Sequence, residues 1–205
     1  MSLGRDLFFD PRLSADDMVS CARCHQPALY GTDALPRSRG VHDKLNPRNA
    51  PTVLNAGLET GAHWRDERKD LEDQATQSFI GPASFDNPDY AAVRGRIKAI
   101  AGYAPLFRAA FPGVADPVTS EALDRAIGVF ERTLVTPAPF DDFLACDDTA
   151  LTPAQQTGLK TFIQTGPSPA KTASMSAVAR SAVSAWSRIT GRRPAARRST
   201  RVGST

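Results

Sequence analysis

The chain has 205 residues, of which 41% are hydrophobic, 23% charged and 7% aromatic, and this composition excludes collagen-like, coiled-coil and wholly disordered proteins. No apolar run approaches the roughly 18 to 20 residues that a membrane-spanning helix needs, so no membrane span is expected. The net charge of +3 averages two different regions, because residues 167–205 contain eight of the 25 basic residues and no acidic residue. Residues 1–166 contain the other 17 basic residues and all 22 acidic residues, so this part of the chain is acidic. Its charge therefore gives no indication of a nucleic-acid partner.

The first predicted helix has one apolar face and ends before Pro11, because proline cannot continue a helix. Ser14 then predicts the start of a short helix that runs into Cys21. Residues 26–54 are rich in Pro, Gly, Asn and Asp and have no sustained periodicity, which predicts a long loop, and loops of this length are often functional. The apolar face of the first helix consists of Leu3, Leu7 and Phe8.

Helical spacing of apolar residues returns from residue 71 onward. It extends over residues 71–79, 90–100, 103–111 and 121–134, the last after a Thr119 or Ser120 cap. Thr152-Pro153-Ala154-Gln155 is a capping box that predicts one more helix, extending through Phe162. Since no segment alternates with period two for long, the sequence predicts an all-α protein with long loops.

Cys21-Ala-Arg-Cys24-His25 has the C-x-x-C-H pattern of c-type haem attachment. Two thiols three residues apart reach the two vinyl groups of a haem, and the next residue places an imidazole under the iron. The sequence has only one other cysteine, Cys146, so a four-cysteine zinc site is excluded. We interpret Cys146 as a small, semi-buried side chain. A zinc site of Cys21, Cys24, His25 and a distant histidine remains open, as does a redox-active dithiol.

Several motifs around this pattern resemble the bacterial di-haem cytochrome c peroxidase family, which includes the MauG-type enzymes. In chain order they are residues 3–14, residues 20–25, Arg48-Asn-Ala-Pro-Thr-Val-Leu-Asn55, Trp64 and Leu71-Glu-Asp-Gln-Ala75. The resemblance extends from about Leu3 to Gly166. It implies a cytochrome c-like N-terminal domain with a low-potential peroxidatic haem, and a C-terminal domain whose own C-x-x-C-H motif binds a high-potential, electron-transferring haem.

The resemblance assigns roles to individual residues. It implies that Cys21 and Cys24 form the thioether bonds to haem c and that His25 is the proximal iron ligand. His42, in the long loop, falls where the resting enzyme's distal histidine lies, a ligand that must leave before peroxide binds. The alternative interpretation of His42 is a solvated loop residue.

Three further positions have two interpretations each. Asn49 matches a residue at the family's inter-domain calcium site, although asparagine before Ala-Pro is also an ordinary turn residue. Trp64 matches the tryptophan between the two haems and is otherwise a large core residue. His63 stands beside it where the family has phenylalanine, and is either a third candidate iron ligand or a surface residue.

The chain departs from the family pattern at two places. Ser84 occupies the position of the family's peroxidatic glutamate, and a serine hydroxyl titrates too high to transfer a proton alone. After Gly166 the expected second haem motif is missing, and a Ser/Ala/Arg-rich basic tail follows. Its composition favours a reading-frame error over a native tail that binds anionic partners.

We therefore predict a peroxidatic haem domain over residues 1–145, the start of a truncated second haem domain over 146–166, and a non-native or disordered tail over 167–205. The resemblance implies reduction of hydrogen peroxide to water in the periplasm, with electrons from a small redox protein such as a cytochrome c or a cupredoxin. It also allows a homodimer, and it implies that the export signal lies outside this chain. The alternatives are a MauG-like oxidase of a protein substrate and a single-haem electron-transfer cytochrome, although Met18 is too close to the motif to be the latter's axial ligand.

Overall fold

The computed structural model describes residues 1–59 and 61–165. Within these residues the chain forms eight α-helices and three isolated antiparallel bridges but no strand, which confirms the all-α prediction. The helices are α1 (Ser2–Phe9), α2 (Cys21–Cys24), α3 (Leu71–Ile80), α4 (Tyr90–Ala99), α5 (Tyr103–Ala110), α6 (Ser120–Glu131), α7 (Pro139–Leu144) and α8 (Pro153–Thr165). None of them is long and apolar enough to cross a membrane. The basic tail lies outside the described residues.

Side chains at the N-caps explain where the predicted helices begin. Asp70 and Asp89 accept backbone N–H groups of the first turns of α3 and α4, and Thr119 does the same for α6. Ser14, in contrast, does not begin a helix as predicted. Its buried hydroxyl accepts the backbone N–H groups of Met18 and Val19 and closes a turn, so α2 begins only at Cys21.

The core forms where α1 crosses α6 and α6 packs on α3. The predicted apolar face of α1 is buried, since Leu3, Leu7 and Phe8 are each no more than 3% exposed. Gly4 makes the close crossing possible, because a Cβ atom there would lie 1.9 Å from the carbonyl oxygen of Ala126 in α6. Because α1 also contacts α2, the crossing helps to position the segment that contains the cysteine motif.

The chain divides into two compact units, Met1–Thr136 and a second one that begins at Pro137. The predicted boundary between residues 145 and 146 falls inside the second unit. In that unit α7 and α8 share a small core around Phe143 and Leu151. Cys146 lies in the turn after α7 with a φ of 83° and is exposed, not semi-buried as interpreted from the sequence, because the turn directs it away from this core.

Candidate functional site

The first unit contains a cavity of about 600 Å³, within the range of roughly 300–1,000 Å³ that is typical of small-molecule and cofactor sites. Its wall is formed by α2, the long loop, the segment before α3, α3 itself, the turn after α3 and the end of α6. Apolar side chains cover much of this wall, among them Val19, Val53, Leu71, Phe79 and Ile127. The cavity can therefore accept a flat, mostly apolar cofactor.

The two cysteines of the motif stand on one turn of helix at the cavity wall. Cys21 is the first residue of α2 and Cys24 the last, and both are free thiols. Burial raises the pKa of both thiols above the ordinary cysteine value, most strongly for Cys21. A redox-active dithiol needs a low thiol pKa, so this environment disfavours that alternative.

His25 follows directly at the end of α2, and its ring is oriented by two backbone carbonyl groups. Its Nδ1 atom lies 3.1 Å from the carbonyl oxygens of both Gly31 and Pro51. Because a carbonyl oxygen only accepts, Nδ1 has the proton and Nε2 has the free lone pair. Burial lowers the pKa of His25, which keeps the imidazole neutral. This is the protonation state that an axial iron ligand requires.

The sequence did not reveal Gly31 and Pro51 as partners of His25. Gly31 has a φ of +74°, a left-handed conformation that favours glycine, and a Cβ there would lie 3.0 Å from the hydroxyl oxygen of Thr52. A glycine soon after the motif was the only available signal. The second carbonyl comes from a residue 26 positions away, so only the folded loop brings it to the ring.

Buried polar atoms in the wall provide a test of whether a haem fits this cavity. Arg68 Nε and Gln74 Oε1 are buried and have no hydrogen-bond partner among the described residues, although both residues line the cavity. Unpaired buried polar groups destabilise a protein by about 1–3 kcal/mol each, so such atoms point to a missing ligand. A haem has an apolar ring, which fits the apolar wall, and two carboxylate groups, which fit the unpaired Arg68 Nε–H donor. No group of three or more His, Cys, Asp or Glu side chains in the described part of the chain is placed to hold a metal ion, so the zinc alternative gains no support.

The structure brings Trp64 and Asn49 to the cavity but not His42. The indole N–H of Trp64 donates to the Asn49 carbonyl oxygen at 3.0 Å, and the Trp64 residue is 45% exposed. His42 is not among the lining residues, and its side chain is 65% exposed. Its backbone N–H donates to Asp16 Oδ2 at 2.9 Å, and its φ of 52° lies in the left-handed region. His42 as a distal ligand therefore stays a prediction.

Three other polar residues line the same cavity. His63 Nδ1 lies 2.6 Å from Glu67 Oε1, which makes a histidine–carboxylate pair. Ser84 lies in the turn after α3. Glu131, at the end of α6, is a functional candidate that sequence reasoning missed, and burial raises its pKa to about 8. Its position four residues after Ile127, on the apolar stripe of α6, was the signal that could have identified it.

Comparison with known proteins identifies similar chains over the first three quarters of the sequence. The family model described as di-haem cytochrome c peroxidase matches residues 1–149. Cytochrome c551 peroxidase of Pseudomonas aeruginosa is 40% identical over 165 residues, which cover 80% of this chain and 47% of that protein. The methylamine utilization protein MauG of Methylorubrum extorquens is also 40% identical, over 79% of this chain and 46% of its own length.

Solved structures give a consistent result. A MauG-like protein associated with microbial copper homeostasis superimposes with a TM-score of 0.67 at 31% identity, over 78% of this chain and 48% of the other. The diheme peroxidase BthA from Burkholderia thailandensis has a TM-score of 0.63 at 24% identity, which shows a shared fold. The chain thus spans about half the length of the relatives that it matches.

Proposed function

The chain belongs to the di-haem cytochrome c peroxidase family, and we propose that its first unit binds one haem c and forms the domain in which hydrogen peroxide is reduced to water. The observation that supports this most directly is the environment of His25. Its Nδ1 is held by two carbonyl groups, its Nε2 is free, and it follows two thiols on one helical turn in a cavity of about 600 Å³.

In this proposal Cys21 and Cys24 would hold the haem through thioether bonds to its two vinyl groups, and His25 would bind its iron through Nε2. The bound haem supplies the iron at which the O–O bond of peroxide is cleaved. The apolar wall would exclude water from the ring, and Arg68 Nε–H would be a hydrogen-bond donor to its carboxylates.

Cleavage of peroxide requires a group that transfers protons. In this cavity Ser84 stands where the family pattern has a glutamate, and the buried carboxyl group of Glu131 lies at the end of α6. Ser84 cannot transfer a proton alone because its hydroxyl titrates far above neutral pH. Glu131 holds a proton at neutral pH, since burial raises its pKa to about 8. We therefore expect proton transfer to be slower in this chain than where a carboxylate occupies position 84.

The two electrons come, in this proposal, from a small donor protein such as a cytochrome c or a cupredoxin in the periplasm. Trp64, which lines the cavity and is partly exposed, couples the haem to the donor side, where the family has a second haem. Calcium near Asn49 and a homodimer remain predictions of the family resemblance. A MauG-like oxidation of a protein substrate is the second candidate, because the identity to MauG equals that to the peroxidase.

Covalent haem content tests the proposal. The chain is produced with an export signal and the cytochrome c maturation system, and the pyridine haemochrome spectrum of the denatured protein is recorded. We expect one covalent haem per chain, and at most one thioether bond in Cys24→Ser. Cys146→Ser is the matched control, since that thiol is exposed and lies in the second unit. A spectrum of non-covalent haem, or an equal loss in Cys146→Ser, would refute the proposal.

A further inference from the structure

The cavity wall contains few side chains that bind a haem iron. Among the described residues that line the cavity outside the Cys21–His25 motif, only His63 has an imidazole, thioether, amine or phenol group. The chain has three histidines, and the third, His42, is not a lining residue. Met18, just before the motif, is 64% exposed and is also absent from the wall. If the iron has a sixth protein ligand in this conformation, the wall offers His63.

His63 is held in a short closed loop that fixes its ring. Ala62 and Arg68 exchange both of their backbone hydrogen bonds, at 2.9 and 3.3 Å, and so close the loop on either side. Within it, His63 Nδ1 lies 2.6 Å from Glu67 Oε1, and Glu67 Oε2 accepts the backbone N–H of Arg65 at 2.6 Å. The carboxylate is thus fixed at both oxygens before any ligand binds.

This pairing leaves the other ring nitrogen of His63 available. His63 Nδ1 lies within hydrogen-bond distance of Glu67 Oε1, and an ionised carboxylate only accepts hydrogen bonds, so the proton of the neutral ring is on Nδ1. The lone pair of His63 is then on Nε2. A histidine that donates its second nitrogen to a carboxylate is the usual arrangement of a metal-ligating imidazole, because the carboxylate fixes the tautomer and makes the ligand more basic.

His63 and His25 share the same enclosed space. Both residues line one cavity. The His63 side chain is 34% exposed, about half the value for His42. The loop of His42 is also held elsewhere, through its hydrogen bond to Asp16, so His42 reaches the cavity only if that bond breaks.

We propose that His63, oriented by Glu67, would bind the haem iron through Nε2 as a second histidine ligand in addition to His25. The proposal rests on the haem binding described above. It assigns to the loop before α3 a role that the family resemblance gives to the loop of His42. Glu67 is a positioning residue that acts through His63.

The experiment compares ferric haem-loaded variants by absorption and electron paramagnetic resonance spectroscopy. Wild type is expected to be six-coordinate and low-spin. His63→Gly should lose the low-spin signal and become high-spin, and added imidazole should restore the low-spin signal by occupying the vacated space. His42→Gly is the matched control and should keep the wild-type spectrum.

Glu67→Gln provides a second test that does not remove the ligand. The iron should stay low-spin, but the midpoint potential should rise, because an amide makes His63 a weaker electron donor than a carboxylate does. Glu121→Gln removes an exposed acid of α6 that is not among the residues lining the cavity, and it should leave the potential close to that of wild type.

Three results would overturn the assignment to His63: a wild-type ferric spectrum that is already high-spin, an unchanged spectrum in His63→Gly, or conversion to high-spin in His42→Gly. The pyridine haemochrome of each variant separates this outcome from failure of the proposed function. If a variant has one covalent haem but not the expected spin state, only the assignment of His63 as an iron ligand is refuted. If covalent haem is absent from the wild type, the proposed haem site itself is refuted.

Discussion

The crossing of α1 and α6 predicts that adding one methyl group at Gly4 destabilises the protein although alanine favours helix. In a helix interior alanine is about 0.8–1.0 kcal/mol more favourable than glycine. At Gly4, however, the new Cβ would lie 1.9 Å from the Ala126 carbonyl oxygen and 2.9 Å from Phe130 Cβ. Ordinary contact begins near 3.4 Å, so the two helices would have to separate.

The size of the effect follows from what the separation disturbs. The nearest obstacle is a backbone oxygen, which has no rotamer to change, and the moving helix holds Leu7 and Phe8, both almost fully buried. Overpacking that side chains can relieve costs typically about 1–3 kcal/mol. Since a backbone clash is harder to relieve, we expect Gly4→Ala to lower the free energy of unfolding by at least about 2 kcal/mol despite the propensity gain.

Gly95→Ala is the matched control for this prediction. Gly95 lies inside α4, and a Cβ there meets nothing within 4 Å. It should therefore raise the free energy of unfolding by up to about 1 kcal/mol. Guanidinium unfolding of the haem-loaded chain, followed by circular dichroism, measures both variants. If Gly4→Ala were as stable as Gly95→Ala, the close approach of α1 and α6 would be wrong.

Two further predictions concern titratable groups. Burial raises the pKa of Asp124 to about 6, against hydrogen bonds from Thr76 and Tyr90 that favour its charged form. The folded state therefore binds one proton more than the unfolded state between about pH 4 and 6, and stability contributed by this group falls as pH rises through that window, by up to about 1.4 kcal/mol per pH unit. Urea unfolding should show that Asp124→Asn gains stability relative to wild type as pH rises from 4 to 6, and a pH-independent difference would contradict the shift. Ser84→Glu should speed peroxide cleavage in a single-turnover, stopped-flow measurement by about 10²–10⁴. Ser84→Ala should leave the rate near that of wild type, and equal rates in Glu and Ala variants would show that position 84 does not serve proton transfer.

Local sequence patterns were sufficient for most of the helices and for recognition of the C-x-x-C-H motif, although they did not predict α7. An apolar stripe repeats every three or four residues wherever it forms, so α1, α3, α4, α5 and α6 could be predicted without tertiary information. The C-x-x-C-H spacing fits within a single turn of helix for the same reason. Ser14 shows the limit even of local patterns, because its hydroxyl has two ways to satisfy nearby N–H groups, and a turn satisfies them as well as a helix cap does.

Contacts between residues far apart in the chain decided the rest of the site. The carbonyl of Pro51 reaches His25 across 26 residues, and the conformation of the long loop determines that contact. The same loop leaves His42 exposed while the segment before α3 places His63 in the cavity wall. Helices can be predicted from sequence because apolar residues recur every three or four positions along them. Loops have no such repeat, so the positions of their side chains depend on packing against the rest of the fold. The sequence by itself thus determined which residues are predicted to attach the cofactor, and the tertiary structure decided which other histidine shares the cavity with them.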